Sequence, residues 1–410
     1  MRIEDFGVSR HGTRVRSSAT VIWEDRHRAP DVVYFETDAQ LAESMAPEPH
    51  AFLVGCFAPA MRYGERRIRV DAEVCPHLLG GIENAMHCLQ TWSDGCRRPV
   101  RIEARQLARV PERPSPRRAA LFLSGGVDSL ASLHLNRQRF RAEHPGSIKE
   151  CLVVHGIDIG VSAEHGPQEG VYHRAFQALS QIAEEHSVQL VPVATNLRHL
   201  SDDIVFWTYE WHGAVLASVA HALASRVHTA YIASTYDIPN LAPWGSHPLL
   251  DPQYSSSDVR IVHDGIALSR LDKVKLVVDS QAALENVRVC LENVQEMLNC
   301  GQCEKCIRTM TELEAIGALS KSSAFPHDRL SAKLLSTVVV TSGYQASCYR
   351  ELIGPLSERG RTDLVRVIRR LVAPKPLKHV KVWCLRNLRA FDRRCLGGTM
   401  RWVKKRLLRL

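Results

Sequence analysis

The pattern of apolar and polar residues changes near residue 118. After this point, apolar segments of strand length alternate with longer segments in which apolar residues recur at helical spacing. Strands that alternate with helices in this way form a parallel sheet with helices on both faces, so we predict an α/β fold. The predicted strands cover residues 119–123, 150–157, 189–194 and 228–234, and the predicted helices cover residues 130–143, 172–186 and 211–225.

The first 115 residues have a different pattern, in which short strand-like segments surround a single helix. We interpret this region as an N-terminal α+β accessory domain, with the proline- and arginine-rich segment 111–118 as a linker. The main α/β domain is predicted at 119–320, a helical extension at 321–373 and a basic amphipathic tail at 374–410. The front strands are predicted at 19–23, 31–36, 50–57, 67–72 and 100–103, and the helix at 79–92.

The length and composition are those of a globular protein with two or three domains. The chain has 410 residues, 45% of them hydrophobic and 24% charged. No apolar segment is long enough to span a bilayer and the first 16 residues do not resemble a signal peptide, so we expect a cytoplasmic protein. In a reducing compartment, a tight cluster among the 12 cysteines indicates metal binding more than disulfides.

The positive charge lies in the tail. Residues 377–410 contain eleven Lys and Arg residues and one acidic residue, a net charge of +10, whereas the whole chain carries +9. Apolar and aromatic side chains alternate with these basic residues. Such a segment could lie peripherally on an anionic membrane surface, bind a protein partner or RNA, or pack on the body of the protein. The sequence leaves these alternatives open.

The first strand of the α/β region runs into a serine- and glycine-rich turn and then into a helix. Free N–H groups at a helix start bind anions, and glycines let a ligand approach the backbone. Serine hydroxyls add donors, and an aspartate can hold a Mg²⁺ ion that bridges phosphates. We therefore predict a pyrophosphate-binding loop, although a turn without ligand has the same pattern. The loop comprises Ser124, Gly125, Gly126, Val127, Asp128 and Ser129, and the two serines and the aspartate are also predicted to be catalytic.

Other candidate site residues follow the next strands. His155 ends the second strand, where the adenine and ribose of a nucleotide would lie in such a fold. Arg270 and Lys273 either face the phosphates or decorate a helix surface. A proline-rich segment after the fourth strand is predicted to contact the substrate, although its aromatic residue could equally pack the segment onto the body. Its candidate residues are Asp237, Trp244, His247 and Asp251.

Four cysteines have the spacing of a metal site. They follow the pattern C-x9-C-x2-C-x2-C, which can place four thiolates around one tetrahedral Zn²⁺ ion. Four protein ligands leave no open position for water, so the ion would be structural. An iron–sulfur cluster also takes four cysteines and is the alternative. The predicted ligands are Cys290, Cys300, Cys303 and Cys306.

The turn SGGVDS resembles the PP-loop of the N-type ATP pyrophosphatases, which have a HUP-like fold. The cysteine pattern follows about 160 residues later, and together the two motifs resemble the 7-cyano-7-deazaguanine synthase (QueC-like) group over residues 119–320. In that group the loop binds ATP, which adenylates a carboxylate, and ammonia then forms an amide. The resemblance implies ATP, Mg²⁺ and a structural Zn²⁺ ion bound by the four cysteines.

The departures from that group concern the substrate. The cysteine pattern is one residue longer, the segment 195–203 differs, and the group lacks the front region and the tail. We therefore expect an ATP-dependent C–N ligase that activates a small-molecule carboxylate for ammonia or another amine, with a different acceptor. A PP-loop tRNA-modifying enzyme and a component acting on a protein partner are the alternatives. The sequence leaves open whether the protein forms a homodimer.

Overall fold

A computed structural model describes residues 1–373, apart from 114–115, 158–160, 163–165, 168, 291, 293 and 295. The predicted basic tail, 374–410, lies outside the described residues. Among the helices that are described, none combines the length and apolar character needed to cross a membrane.

The chain forms an α/β structure in which strands and helices alternate after residue 118. The strands are β1 (Arg2–His11), β2 (Arg14–Ile22), β3 (Asp31–Asp38), β4 (Arg67–Val74), β5 (Arg101–Gln106), β6 (Arg118–Phe122), β7 (Ile148–His155), β8 (Val161–Ser162), β9 (Gly166–Pro167), β10 (Gln189–Thr195), β11 (Val227–Ala233) and β12 (Arg260–Asp264). The helices are α1 (Pro49–Tyr63), α2 (Pro76–Trp92), α3 (Val127–Arg139), α4 (Glu169–Glu185), α5 (Ile204–Phe206), α6 (His212–Ala222), α7 (Arg270–Val278), α8 (Gln281–Asn286), α9 (Glu304–Ile316), α10 (Ala332–Leu335), α11 (Gly343–Glu351), α12 (Ile353–Glu358) and α13 (Thr362–Leu371).

Five parallel strands form one half of a ten-stranded sheet, in the order β12-β11-β6-β7-β10. The four strands predicted from the sequence of this region are present, and β12 is the fifth. The strand order reverses between β6 and β11, because the chain proceeds from β6 to one side of the sheet and later returns to the other. Ligands of open α/β sheets bind at the carboxyl ends of the strands beside such a reversal. The loop after β6 therefore lies at the expected position of a site.

The front region continues the same sheet. Strand β3 pairs antiparallel with β10, with Phe35 opposite Thr195 and Glu36 opposite Ala194. Strands β2, β1, β4 and β5 follow in that order. Residues of α1 and of the front strands also share one apolar core with α6 and β11. The region predicted as an accessory domain is thus joined to the α/β region by both hydrogen bonds and packing.

The central strand β6 is buried on both faces of the sheet. Successive side chains of a strand point to opposite faces. In β6, Ala120 and Phe122 belong to the core that contains α1 and α6, whereas Ala119 and Leu121 belong to the core beneath α3, α4 and α7. A strand buried on both faces has no polar alternation, which explains the continuous apolar segment 119–123.

The prediction of a strand at 50–57 is wrong, because these residues form part of helix α1. Every residue from His50 to Met61 is buried, so the helix has no polar face. A helix that is apolar all round lacks the 3.6-residue alternation, and a short apolar segment alone does not distinguish it from a buried strand. Pro49 at the first helical turn was the available signal, since its fixed φ suits that position.

Two arginines of the segment interpreted as a linker are fixed to the body by buried ion pairs. Arg113 lies 2.5 Å from Glu48 and 2.9 Å from Asp258, and Arg117 lies 2.7 Å from the other oxygen of Asp258. All four side chains are at least four-fifths buried. Because charges removed from water are costly to leave unpaired, these contacts hold Arg113 and Arg117 in place.

Two buried histidines make stability sensitive to acid. His50 and His221 pack edge to face with ring centroids 5.8 Å apart. Burial lowers the pKa of each imidazole from 6.5 to about 4. The unfolded chain therefore binds protons between pH 6.5 and 4 that the folded chain does not. The stability that these two neutral histidines contribute is fully present above pH 6.5 and is lost as the pH falls from 6.5 to about 4.

We expect the free energy of unfolding to decrease by about 1.4 kcal/mol per pH unit for each of these histidines across that window. Urea denaturation between pH 7 and 4.5 measures this slope. His221→Gln should lower this slope by the contribution of one histidine, about 1.4 kcal/mol per pH unit. His173→Gln, on the exposed side of α4, should leave the slope unchanged. Equal slopes for His221→Gln and wild type would contradict the assignment.

Candidate functional site

A cavity of about 430 Å³ opens at the carboxyl ends of β6, β7 and β11. Its floor is apolar and comes from these strands and from α6. One side is formed by the predicted phosphate loop and by basic residues, and the other by aromatic side chains. Cavities of this size, with an apolar lining and a few polar groups, bind small molecules. The floor residues are Phe122, Leu123, Leu152, Val154, Leu216 and Ile232.

The loop after β6 has the geometry of an anion site. Gly125 has φ +75°, a conformation that favours glycine, and Gly126 caps the N-terminus of α3. The hydroxyl of Ser129 donates to the carbonyl oxygen of Gly126 at 3.0 Å, and the N–H of Gly126 donates to the Ser124 hydroxyl at 3.3 Å. This arrangement directs the start of a 13-residue helix at the cavity, where its dipole favours negative charge.

Asp128 in the first turn of α3 is held by two cations from α7. Lys273 Nζ lies 3.0 Å from Asp128 Oδ1, and Arg270 Nη1 lies 3.6 Å from the same oxygen. Burial would raise the pKa of the Asp128 carboxyl, but the charges of Lys273 and Arg270 outweigh it and hold that pKa below its ordinary value. Lys273 also donates to the carbonyl oxygen of Ser234 at the end of β11. Both cations are thus directed at the loop, not at the helix surface.

A buried acidic residue on α9 fixes the arginine. Arg270 Nε lies 3.2 Å from Glu312 Oε2, and Arg270 Nη2 donates to the Thr309 hydroxyl at 3.2 Å. Glu312 has no exposed surface and also lies 3.9 Å from Arg308. Burial raises the pKa of Glu312, although the two guanidinium groups oppose this. The carboxylate therefore stands between two arginines that both line the cavity.

Basic side chains dominate the polar side of the cavity. Among the described residues that line it, Asp128 is the one acidic side chain. An excess of positive charge in a concave, partly apolar surface attracts anionic ligands. Of the four basic lining residues, Arg288, Lys305 and Arg308 were not predicted. The four are Arg270, Arg288, Lys305 and Arg308.

The opposite wall is aromatic. Trp244 lines the cavity, and its ring packs edge to face with Tyr209 at 5.1 Å and with Tyr236 at 5.4 Å. Trp207 and Thr208 also line this wall, within a π-helical turn at Trp207–Trp211. Such turns widen a helix by one residue and are frequent at functional sites. Trp244 is thus at the cavity, as predicted, and its ring also packs the proline-rich segment onto the body.

Asp251, a second predicted substrate residue, lies in the buried framework and not at the cavity. It has no exposed surface. One of its oxygens lies 2.7 Å from Nδ1 of His263 on β12 and accepts from the Ser246 hydroxyl at 2.6 Å. These contacts fix the segment after Trp244 against the sheet. A carboxylate engaged in this way positions Ser246, which lines the cavity, and has no oxygen directed at a ligand.

Asp237 and His247 do not line the cavity either. Asp237 accepts from the side-chain amide of Asn240 at 2.5 Å and lies before a short turn. His247 is buried, its ring lies 4.8 Å from the ring of Trp92, and its Nδ1 accepts from the N–H of Leu249. Both side chains accept hydrogen bonds from residues two or three positions later in the chain, and the sequence does not separate that local role from ligand binding.

His155 ends β7 as predicted, but its ring packs edge to face against Tyr172 of α4 with centroids 4.6 Å apart. The neighbouring residues Val154 and Ile157 line the cavity instead. Because side chains alternate along a strand, Val154 faces the cavity and His155 faces the helix.

The four predicted metal ligands come together. Their Sγ atoms all lie within 4.8 Å of one another, and this cluster could hold a metal ion such as zinc. Cys300 and Cys306 are 3.8 Å apart, and Cys303 and Cys290 are 4.0 Å apart. A tetrahedral ion with Zn–S bonds of about 2.3 Å separates its sulfurs by about 3.8 Å. The spacing therefore suits one ion shared by four thiolates.

The backbone around the cluster supports thiolate ligands. The N–H groups of Gln302 and Cys303 donate to Cys300 Sγ at 3.4 and 3.3 Å. Gly301 has φ +70°, and a Cβ atom there would lie 2.4 Å from Pro326 Cγ. The position therefore requires glycine for two reasons, backbone conformation and space.

Three of the residues that the sequence did not reveal lie on one helix. Lys305, Arg308 and Glu312 belong to α9, which begins within the cysteine cluster, and Arg308 and Glu312 are four residues apart. Charged residues at this spacing share a helix face, and here they lie among buried residues. Charged residues within an otherwise apolar helix face were the available sequence signal for these site residues. Tyr344 of α11, whose hydroxyl donates to the Thr235 carbonyl oxygen at 2.8 Å, gave none.

Comparison with known proteins gives no relative. No family model matches the sequence, and neither a curated protein nor a solved structure matches the chain. The residues and their geometry alone carry the functional argument.

Proposed function

We propose that the protein is an ATP-dependent ligase that adenylates a carboxylate, releases pyrophosphate and transfers the acyl group to ammonia or another amine. The observation that carries the proposal is the loop at residues 124–129, which lies at the reversal of strand order and faces Lys273 and Arg270. The parallel strand order is consistent with a PP-loop ATP pyrophosphatase of the HUP-like class. The cysteine cluster beside the loop supports the narrower likeness to the 7-cyano-7-deazaguanine synthase group.

In this reaction a carboxylate oxygen attacks the α-phosphorus of ATP, and the bond to the bridging oxygen of pyrophosphate breaks. The amine then attacks the acyl adenylate, AMP leaves, and the amine loses a proton to solvent. The loop amides and the N-terminus of α3 bind the departing pyrophosphate. Arg270 and Lys273 neutralise the charge that develops on the phosphates, which is the largest contribution a preorganised site makes. No side chain has to act as covalent nucleophile.

The apolar and aromatic parts of the cavity would hold the uncharged parts of the two substrates. The floor from β6, β7 and β11 would contact the adenosine, and Trp244 with the π-helical turn would form the wall of the acceptor pocket. Substrates bound on these surfaces would displace water, which would strengthen the electrostatic interactions with the phosphates.

Oxygen donors suitable for Mg²⁺ are present in the loop, from Asp128 and the hydroxyls of Ser124 and Ser129. A Mg²⁺ ion would arrive with the nucleotide and add positive charge to the phosphates. Asp128 would share its carboxylate between the ion and Lys273. Zinc is proposed for the cysteine cluster, since iron–sulfur clusters divide their thiolates among several irons and the four sulfurs here fit one ion.

Pyrophosphate release from Mg·ATP tests the proposal. Wild type is incubated with pooled carboxylates, including 7-carboxy-7-deazaguanine, and compared with Asp128→Asn and with Asp279→Asn, an exposed control at the end of α7. We expect release that depends on one carboxylate, falls about 100-fold or more in Asp128→Asn and is unchanged in the control. Failure to bind ATP would refute the proposal. Binding without release for any carboxylate would redirect the search to RNA or a protein partner.

A further inference from the structure

The cysteine cluster and the phosphate loop are neighbours joined by two sets of contacts. The first is a main-chain hydrogen bond in which the N–H of Arg288 donates to the carbonyl oxygen of Gly125 at 2.8 Å. Arg288 lies two residues before the metal ligand Cys290, and both residues line the cavity. A displacement of Cys290 would therefore be transmitted along residues 288–290 and through this hydrogen bond to Gly125 in the loop.

The same connection is supported from the interior. Asn299, which precedes the ligand Cys300, is fully buried. Its side-chain oxygen accepts from the N–H of Val289 at 2.8 Å and of Cys290 at 3.2 Å, and its amide donates to the carbonyl oxygen of Val287 at 2.8 Å. The segment 287–290 is therefore tied on one side to the cysteine cluster and on the other to the loop.

The second connection runs through helix α9. Cys303 is its N-cap residue and Cys306 lies in its first turn, so two of the four ligands are part of the helix start. The helix carries Lys305 and Arg308 into the cavity, and one turn later Glu312 holds Arg270 beside Asp128. The position of the helix thus decides where these cations lie relative to the loop.

We propose that the metal held by the cysteine cluster positions the phosphate loop, so that occupancy of the cluster controls nucleotide binding. The cluster would then position the phosphate loop in addition to stabilising the local fold. The control of nucleotide binding rests on the proposed function, whereas the mechanical coupling between cluster and loop does not. Without the metal, no bond links the four sulfurs, and the segments that carry Cys290 and Cys303 lose their common anchor.

Hydrogen exchange measured by mass spectrometry tests the coupling directly. The full chain is loaded with zinc to one equivalent, and exchange is compared with the same sample after chelation. We expect exchange in peptides covering residues 121–130 and 286–290 to rise about tenfold, as loss of main-chain hydrogen bonds requires. A peptide from the β1–β2 hairpin, remote from the cluster, should not change, and added zinc should restore protection.

Gly301→Ala provides the same test without a chelator. Its Cβ atom would meet Pro326 at 2.4 Å, so the ligand segment must shift although all four cysteines remain. Gly360→Ala is the matched control, because Gly360 also has φ +70° but has nothing within 4 Å of the added atom. We expect Gly301→Ala to bind zinc at least tenfold more weakly and to show the faster exchange at 121–130, and Gly360→Ala to show neither.

Binding of a non-hydrolysable ATP analogue to the same samples completes the test. We expect the dissociation constant to rise about tenfold when zinc is removed. Faster loop exchange without any nucleotide binding would leave the coupling intact and refute the proposed function. Unchanged exchange at 121–130 after zinc loss would overturn the inference, as would failure to bind zinc or equal deprotection of the whole chain.

Discussion

Replacing Arg270 with methionine is expected to lower the free energy of unfolding by about 3–5 kcal/mol at neutral pH, because it removes one partner of a buried ion pair. Methionine fills the space of the aliphatic part, so the loss is mainly electrostatic. Glu312, with no exposed surface, would keep only the more distant guanidinium of Arg308 at 3.9 Å. Urea denaturation of wild type and variant measures the difference. Arg350→Met, at an exposed position on α11, is the control and should change stability by less than about 0.5 kcal/mol.

The same variant should show a characteristic pH dependence. Burial already raises the pKa of Glu312, and loss of Arg270 raises it further. A carboxyl group whose pKa is raised on folding contributes stability that is present below its ordinary value near 4.5 and is lost as the pH rises through the folded value. The difference in the free energy of unfolding between variant and wild type should therefore be larger at pH 8 than at pH 5. A constant difference would show that lost packing, not the unpaired charge, causes the destabilisation.

Lys273→Met is expected to reduce pyrophosphate release about 100- to 1000-fold, the usual effect of removing one preorganised charge from a site of this kind. The ammonium group is almost fully buried and is directed at Asp128 in the loop. Methionine retains the apolar stem, so the fold should be preserved. Steady-state kinetics with the carboxylate found by the release assay, together with thermal unfolding, separate catalysis from stability.

Lys275→Met is a matched control on the same helix. Lys275 is about half exposed and pairs with Asp272, so its loss should leave the rate unchanged. If Lys273→Met kept a rate within threefold of wild type while losing stability, the lysine would serve only to fix Asp128 and the end of β11. A matching loss of rate in Lys275→Met would implicate the helix as a whole.

The part of the fold that the sequence predicted is the part with strong periodicity. The alternation of apolar strands and helices after residue 118 gave the parallel strands β6, β7, β10 and β11. The cluster of four cysteines was predicted because cysteines at such short spacing are typical of metal sites. Both signals are local, since each depends on residues close together in the chain.

The features that the sequence did not predict depend on contacts between distant segments. The pairing of β3 with β10 brings together residues about 160 positions apart. Helix α1 is apolar on all sides because the sheet, α2 and α6 surround it, and that environment cannot be inferred from its own residues. In the same way, Asp251 and Trp244 occur in one segment, yet only the folded chain shows that one is buried in the framework and the other lines the cavity.

The pairing of β3 with β10 also determines how the chain can be divided. Strand β10 ends the parallel half of the sheet, and without β3 its N–H and C=O groups near Ala194 and Thr195 would lie at an open edge. Removal of the front region would in addition expose the apolar surface of α6 that α1 covers. An open edge next to an apolar face is a template for intermolecular pairing. We therefore expect a chain beginning at residue 118 to aggregate, although it contains both the loop and the cysteine cluster, because the front region belongs to the same folding unit.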